Sequence, residues 1–556
     1  MLPPAQDREG PGVAPLTPPS GPRTSALLWG YRLFPMVLLP LMLVLSRDFG
    51  VTWDEKTHQL YGERVFRFLT QHLDDDWFRP GGEIFIYLHG GLFDTVCVAF
   101  QQVLPGDAWV TRHYVNAVFG WLGILYVGRL GRLLSGPGTG LLAMVLLTLS
   151  PRYFGDAMNN PKDLPLAAVL AAALYYLMRL EPRYPYLGWR LAVPLALSIG
   201  MALNVRAGAL IFLVYLATAL AALTIAAREF SPVRLGATLV RWAGVTVAVL
   251  LLGTVFWPWA QVRPLTRPLQ GMIRLSQFQW TFPVLFNGAD VPASALPWDY
   301  VPRWVLITTP PVVILGAALS LLLVLRLRTT SALPWRVLAL WGVTLFPACY
   351  IVWRGATIYD GVRHLLFTYP PLVVLAAAGW RGALESPSRK LKTLSAVALG
   401  LGLLEPALFA WHNHPNQAVY FNALAGGPRG AFGRYELDYW GNSLLQGAEW
   451  ADRVARASGI RLVVSGAPHH VVRDDVRRFG SLEYAREDLA AHHLALLVLR
   501  GPRQDVLDLA RRTDILYTVT TADGTPLTVV VPGPRYAEVE GALRKASPSL
   551  PRLTSP

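Results

Sequence analysis

Charge is what this sequence has least of. Only 15% of its 556 residues are Asp, Glu, Lys or Arg, whereas a soluble chain of this size needs about 25% to clothe its surface. The deficit excludes a string of water-soluble domains. Hydrophobic residues make up 53% of the chain, and the mean hydropathy is +0.36, so it reads as a polytopic membrane protein. Cysteine is nearly absent: Cys97 and Cys349 lie far apart in apolar surroundings. That excludes a disulfide framework and reads as two buried hydrophobes. Acidic residues are outnumbered, 36 against 50 Lys and Arg, for a net charge of +14. No basic helix with interleaved aromatics accompanies the excess, so nucleic acid is excluded as a partner and the cations are assigned to membrane topology. Ligand-spaced metal motifs, a phosphate-cradling Gly-rich loop and a nucleophile elbow are also missing. No internal repeat is visible.

What is present is a succession of apolar runs. Residues 1–26, rich in Pro and Gly, read as a disordered cytoplasmic tail. The run 27–46 reads as an uncleaved first helix. Ten more follow near 112–130, 137–151, 164–180, 190–204, 207–227, 237–257, 303–326, 334–353, 362–380 and 393–411, giving about eleven spans. Charge parity supports this count. With the N-terminus inside, Arg129 and Arg132, Arg179 to Arg190, Arg228 to Arg241, Arg326 to Arg336, and Arg381 to Lys392 all fall on the cytoplasmic side. Segment 84–104 is apolar enough to tempt a span. Counting it would invert every later loop, and His89, Asp94 and Gly90-Gly91 suit lipid poorly. It is assigned to an interfacial or re-entrant helix. The expected fold is therefore mainly α: a helical transmembrane domain over 27–411, then a small extracytoplasmic α/β domain over 412–556. In that domain 459–466 and 493–501 read as buried strands, and 514–532 reads as a hairpin around Asp523-Gly524.

Candidate chemistry gathers in the outer loops. Asp54 and Glu55 end the first span as adjacent carboxylates, one of which could serve as a general base. Thr52-x-x-Glu55 is equally a capping box that starts a helix through about Gln71. In Ser150-Pro-Arg-Tyr-Phe-Gly-Asp156-Ala-Met-Asn-Asn-Pro-Lys162-Asp163, Asp163 suits an N-cap. Lys162 beside a helix N-terminus suits an anion between them, or snorkelling to headgroups. Arg206 and Arg363 fall just inside predicted span ends, where an unpaired charge is costly and usually functional. His364 alone indicates nothing.

Three motifs share one resemblance. Trp53-Asp54-Glu55, Asn159-Asn-Pro-Lys162-Asp163-Leu-Pro and Tyr359-Asp-Gly-Val-Arg363-His364 resemble those of bacterial GT-C membrane glycosyltransferases, nearest to glycosyltransferase family 39, which includes protein O-mannosyltransferases. His414-Pro415, Tyr420-Phe421-Asn422-Ala-Leu-Ala-Gly426-Gly427 and Asp438-Tyr-Trp-Gly441 extend the likeness to about residue 450. The resemblance implies a GT-C fold and transfer of a hexosyl or pentosyl group from a polyprenyl-phosphate-linked donor. The acceptor would be a hydroxyl of lipid, glycan or protein, attacked with inversion at the outer face of a bacterial inner membrane. It implies catalytic roles for Asp54, with Glu55 beside it, and for Asp156 as the nearest counterpart of the second-loop acid. The residues around Asp156 depart from those of the protein mannosyltransferases, so a divalent metal at Asp54 and Asp156 stays open. Lys162, Arg206, Tyr359, Arg363 and His364 would face the donor phosphate, the cations supplying the negative group's missing partners. The alternatives are a multi-pass transporter or lipid flippase, or an anchored binding module. Transporters carry ionisable groups near the midplane and inverted repeats, whereas here the charges gather in outer loops.

Overall fold

A computed structural model of the chain describes residues 22–80, 85–180, 188–228, 230–278, 280–325, 333–485 and 491–547. The expected tail lies outside them as far as residue 21, and the first helix starts earlier than expected, at Pro22. The early helices are α1 (Pro22–Leu45), α2 (Glu55–Gln71), α3 (Leu92–Gln101), α4 (Ala108–Ser135), α5 (Pro137–Thr148), α6 (Pro151–Asn159), α7 (Asp163–Met178), α8 (Trp189–Leu203), α9 (Ile211–Ala227) and α10 (Pro232–Leu252). The short α11 (Pro258–Gln261) and α12 (Arg267–Ser276) precede a hairpin of β1 (Pro283–Phe286) and β2 (Ala289–Pro292). Then come α13 (Tyr300–Thr308), α14 (Pro311–Val324), α15 (Leu333–Arg354), α16 (Tyr369–Leu384) and α17 (Arg389–His412).

All eleven apolar runs are helical. Among the described residues six helices are long and apolar enough to cross a membrane. The run at 303–326 is not one rod: α13 and α14 meet at 112°. Thr309 takes an extended backbone there, as the residue before Pro310 must, because the proline ring clashes with a helical predecessor. The run at 362–380 also shifts, since α16 begins at Tyr369 and Arg363-His364 lie in the 3-10 turn before it. Within segment 84–104 the described residues, from 85 on, form a 3-10 turn (Phe85–Leu88) and the ten-residue α3, too short to span. Asp94 on α3 is buried between His58 (2.8 Å) and Arg112 (2.8 Å). Gly90 has a packing reason, since a Cβ there would lie 2.0 Å from the Asn204 carbonyl oxygen. Cys97 is buried as expected, whereas Cys349 is exposed on the flank of α15, a surface that lipid would cover.

Small residues let the helix axes approach, the usual device where lipid offers no hydrophobic drive to association. At the α14–α16 crossing, a Cβ on Gly379 would stand 2.0 Å from the Gly316 carbonyl. The Leu- and Ala-rich α7 is buried almost throughout and runs through the centre of the bundle.

After α17 the chain passes through α18 (Gly427–Ala431) into an open sheet with the order β4-β3-β5-β7-β6. The strands are β3 (Leu462–Ala467), β4 (Leu482–Tyr484), β5 (Leu494–Val498), β6 (Tyr517–Thr520) and β7 (Pro526–Pro532). β3 runs parallel to β4 and β5, and β7 pairs antiparallel with β5 and β6. The hairpin turns at Asp523-Gly524, as expected, with Gly524 left-handed at φ 81°. The three-residue β4 was not anticipated. Helices α19 (Leu444–Ser458), α20 (His469–Val476) and α22 (Glu540–Ala546) cover one face, and α21 (Arg503–Ala510) packs on the other. One residue of the covered core comes from far away: Val51, of the loop after α1, is fully buried in it.

Candidate functional site

The segment 48–55 lies between the helical domain and the sheet domain, and both hold its backbone by hydrogen bonds. Gly50 and Val51 N–H groups donate to Asn442 Oδ1 and Asp475 Oδ1, both at 3.0 Å. Trp53 N–H donates to the Trp440 carbonyl at 3.1 Å, and Asn159 Nδ2 donates to the Gly50 carbonyl at 3.0 Å. Glu55 is the capping residue that its spacing predicts: Oε2 accepts from Thr52 N–H (2.7 Å) and Thr52 Oγ1 (3.1 Å). Its other oxygen faces His113 Nε2 at 3.3 Å, with Arg112 Nε at 3.9 Å, and the residue is buried. The helix it starts ends at Gln71, as predicted. Glu55 is thereby fully engaged, which leaves Asp54 as the carboxylate available for chemistry.

Asp54 meets two of the three predicted cations. Its Oδ2 lies 3.2 Å from Arg363 Nη1 and 3.9 Å from Lys162 Nζ. Its side chain is 26% exposed, and Oδ1 has no hydrogen-bond partner among the described residues. Burial favours the neutral acid, but Arg363, Lys162 and His58 outweigh it and hold the carboxyl well below the usual carboxylate range. The reverse balance applies to Lys162, where burial lowers the ammonium pKa although Asp54 opposes it.

The third cation joins through a residue with another expected role. Asp163 does not cap α7. Asn160 Oδ1 accepts from the Lys162 and Asp163 N–H groups (3.2 and 2.9 Å), which frees the Asp163 carboxylate to bridge Arg206 Nη1 (2.6 Å) and Arg363 Nη1 (3.4 Å). Arg363 also reaches Asp360 Oδ2 through Nη2 (3.1 Å), and Asp360 Oδ1 receives Arg500 Nη2 from the sheet domain (2.7 Å). Lys162, Arg206 and Arg363 therefore do converge, but the expectation that they lie uncompensated is corrected. Four cations, counting Arg500, face three carboxylates, Asp54, Asp163 and Asp360. Burial beside Asp360 pushes Glu436 up to about 8, so with that acid neutral the cluster carries a surplus of one positive charge. These contacts require the loops bearing residues 54, 162, 206 and 363 to share one face of the bundle. That agrees with leaving segment 84–104 uncounted. At the opposite end Arg336 donates to the Leu133 carbonyl at 3.0 Å, gathering loops of the other parity.

Arg363 is also in the wall of a cavity of about 370 Å³ between α6, the bent pair α13–α14, α15 and α16. Its lining is largely apolar, with Ile314, Leu321 and Leu372 among it, and Arg152, Asp156 and Arg363 are its charged residues. Arg363 is buried, and its Nε has no hydrogen-bond partner among the described residues. Arg152, which sequence reading did not single out, donates through Nε to the Tyr420 carbonyl (2.8 Å) and leaves Nη2 unpaired. Asp156 accepts from Trp440 Nε1 (3.0 Å) and Asn160 Nδ2 (3.2 Å), yet burial still pushes it up to about 6. Asp156 lines the apolar cavity, whereas Asp54 belongs to the cation cluster across Arg363. Among the described residues no group of three or more His, Cys, Asp or Glu is arranged to hold a metal ion. With Asp54 facing cations and Asp156 hydrogen-bonded to donors, this pair does not fit one. Tyr359 stacks on Trp280 (centroids 3.9 Å apart) and meets the Arg363 guanidinium at 5.0 Å. His364 packs edge-on against Tyr359, and its Nδ1 is unpaired.

No family model matches the chain, and no curated protein matches it in sequence. Among solved structures it is similar to ArnT from Cupriavidus metallidurans in the apo state, at 13% identity over 90% of this chain and 98% of that one (TM-score 0.48). It is similar to the same protein bound to undecaprenyl phosphate, at 13% identity over the same shares (TM-score 0.47). A third is the oligosaccharyltransferase AglB from Archaeoglobus fulgidus with an inhibitory peptide and a dolichol-phosphate, at 12% identity over 89% of this chain and 74% of that one (TM-score 0.47).

Proposed function

We propose that the chain is a membrane glycosyltransferase that moves a sugar from a polyprenyl-phosphate donor to an acceptor hydroxyl at the outer face of the membrane, with inversion. The observation that carries this reading is the position of Arg363, which lines the apolar cavity on one side and joins the carboxylate–cation cluster around Asp54 on the other. A lipid-linked phosphate needs both surroundings at once: apolar walls for its chain and guanidinium donors for its charge. The unpaired Arg363 Nε and the surplus positive charge of the cluster support an anion there.

In the proposed reaction the acceptor O–H gives its proton to Asp54 Oδ1 as its oxygen attacks the anomeric carbon. The bond from that carbon to the phosphate oxygen breaks, and its electron pair stays on the lipid phosphate. Arg363 and Lys162 stabilise that developing charge. Before the donor binds, the same two cations hold Asp54 ionised. As they turn to the phosphate, Asp54 loses part of that stabilisation and becomes a stronger base. Arg206 acts through Asp163, which it anchors, and Glu55 fixes the loop rather than reacting. The outer-face assignment is supported by the Lys and Arg distribution, which puts the loops opposite the cluster on the cytoplasmic side.

The broken helix α13–α14 is a feature that transporters also use. One assay separates the readings: purified protein in detergent is given a polyprenyl-phosphate-linked sugar and release of the lipid phosphate is measured. Release that depends on an added acceptor and on Arg363 supports the transferase. Binding of the lipid without cleavage of any polyprenyl-phosphate sugar would leave the transporter reading in its stead.

A further inference from the structure

The sheet domain does more than cover the site. We propose that Arg500, a residue of the sheet domain, is a positioning residue that sets the orientation of Arg363 for the donor phosphate. The inference rests on the proposed function.

Arg500 makes three contacts that no other single side chain here combines. Nη2 pairs with Asp360 Oδ1 at 2.7 Å, Nη1 donates to the Tyr439 carbonyl at 2.9 Å, and the guanidinium stacks over Trp53 at 4.6 Å. Each leads to a different part of the site. Trp53 precedes Asp54. Tyr439 lines the apolar cavity, and Trp440 beside it lies under the Arg363 guanidinium at 4.9 Å. Asp360 is the direct link, with one oxygen on Arg500 and the other on Arg363 Nη2. Asp360 has a left-handed backbone, φ 54°, which a short polar residue tolerates better than most side chains do. Its carboxylate is buried, so the two arginines are what hold it there. Without Arg500, Asp360 Oδ1 would be a buried, unpaired charge. Its cheapest remedy is to swing both oxygens onto Arg363 and draw that guanidinium away from Asp54, Asp163 and the cavity. A planar fork serves a carboxylate, a carbonyl and a ring face together, whereas an ammonium would restore only the charge beside Asp360.

The test uses the full chain in detergent and radiolabelled polyprenyl monophosphate as the probe, with the thermal midpoint followed in parallel. Wild type should bind, Arg363→Ala should lose most of the binding, and Arg500→Ala should weaken it at least about tenfold. Arg500→Lys should recover part of the loss by restoring the charge beside Asp360. Asp360→Asn should weaken binding too, and the double variant Arg500→Ala/Asp360→Asn should be no weaker than Arg500→Ala, because both act through one link. Arg511→Ala, exposed in the same domain, should leave binding unchanged. If Arg500→Ala does not fold, Arg500→Gln replaces it, keeping a donor for the Tyr439 carbonyl while removing the charge. The inference is overturned if wild type binds and depends on Arg363 while Arg500 variants bind equally well. It is also overturned if the two losses simply add, or if Arg500→Lys matches Arg500→Ala. Failure of wild type to bind any polyprenyl phosphate would instead remove the proposed function beneath it.

Discussion

Replacing Asp54 by Asn changes one charge and almost no volume, and the surroundings of Asp54 give the result a signature. The loop should keep its shape, because its backbone is held by Asn442, Asp475 and Trp440 and its helix start by Glu55. Arg363 keeps Asp163 and Asp360 as partners. The chemistry should suffer, since loss of a positioned base costs about 10²–10⁴-fold in turnover. Phosphate binding should move the other way. Asp54 Oδ2 lies 3.9 Å from Lys162 Nζ, so an incoming phosphate is repelled by the same carboxylate that competes for its cations. A unit charge at about 4 Å is worth roughly 1 kcal/mol in water-like surroundings and about 4 kcal/mol in a partly buried site. With 26% of the side chain exposed, the site lies between these limits, so the lower figure is a floor, which corresponds to at least about fivefold tighter lipid-phosphate binding. Asp54→Asn should therefore lose turnover while binding polyprenyl phosphate at least as well as wild type. Steady-state transfer at saturating donor and equilibrium binding of the lipid phosphate, measured on one preparation, check both halves. Turnover within about threefold of wild type would refute the base assignment. Turnover and phosphate binding lost together would show that Asp54 serves the architecture of the cluster and not the reaction.

Glu55→Gln should act on stability before chemistry: the buried charge facing Thr52, His113 and Arg112 is lost, at a cost of about 1–3 kcal/mol read as a lower thermal midpoint. Asp475 carries a pH dependence. Burial pushes it up to about 7, so between its unfolded value near 4 and about 7 the folded state binds the extra proton. Stability should then fall as pH rises through that window, by up to about 1.4 kcal/mol per pH unit. Asp475→Asn, which keeps the acceptor for Val51 N–H, should flatten that slope in thermal melts at pH 5 to 8, and an unchanged slope would assign it to other groups. For topology, Cys349 is first replaced by Ala. A cysteine at the exposed Asp76 should then label from outside intact cells and one at Ser388 only after permeabilisation, and the reverse pattern would invert the whole assignment.

Much of this architecture was legible in the residues, and the reasons differ between its parts. Apolar runs report helices because burial in lipid is decided locally, so all eleven were found. The Glu55 cap and the Asp523-Gly524 turn were found because each is a short-range hydrogen-bond or backbone requirement. Loop parity puts Lys162, Arg206 and Arg363 on one side of the bundle, and the resemblance brings them to one site. What compensates them is not legible there, because a carboxylate's partner is set by the fold. Asp163 meets Arg363 across 200 positions and Arg500 meets Asp360 across 140, and neither spacing has a periodicity to betray it. The bend between α13 and α14 did leave a mark, the Pro310-Pro311 pair. Continuous hydropathy on both sides hides the bend from a reading of apolar runs.

The burial of Val51 in the sheet-domain core has a consequence in time. Its N–H group pairs with Asp475, 424 positions later in the chain. At synthesis rates of roughly 5–20 residues per second, the loop bearing Asp54 emerges about 20–80 seconds before the partner that fixes it. The helical bundle can insert and pack in that interval, since its contacts need nothing from the sheet. The loop bearing Asp54 does not gain its contacts to Asn442 and Asp475 until the last hundred or so residues have been made and folded. A chain truncated or misfolded beyond α19 would thus be a well-inserted membrane protein with no assembled site, and only a complete chain would be armed.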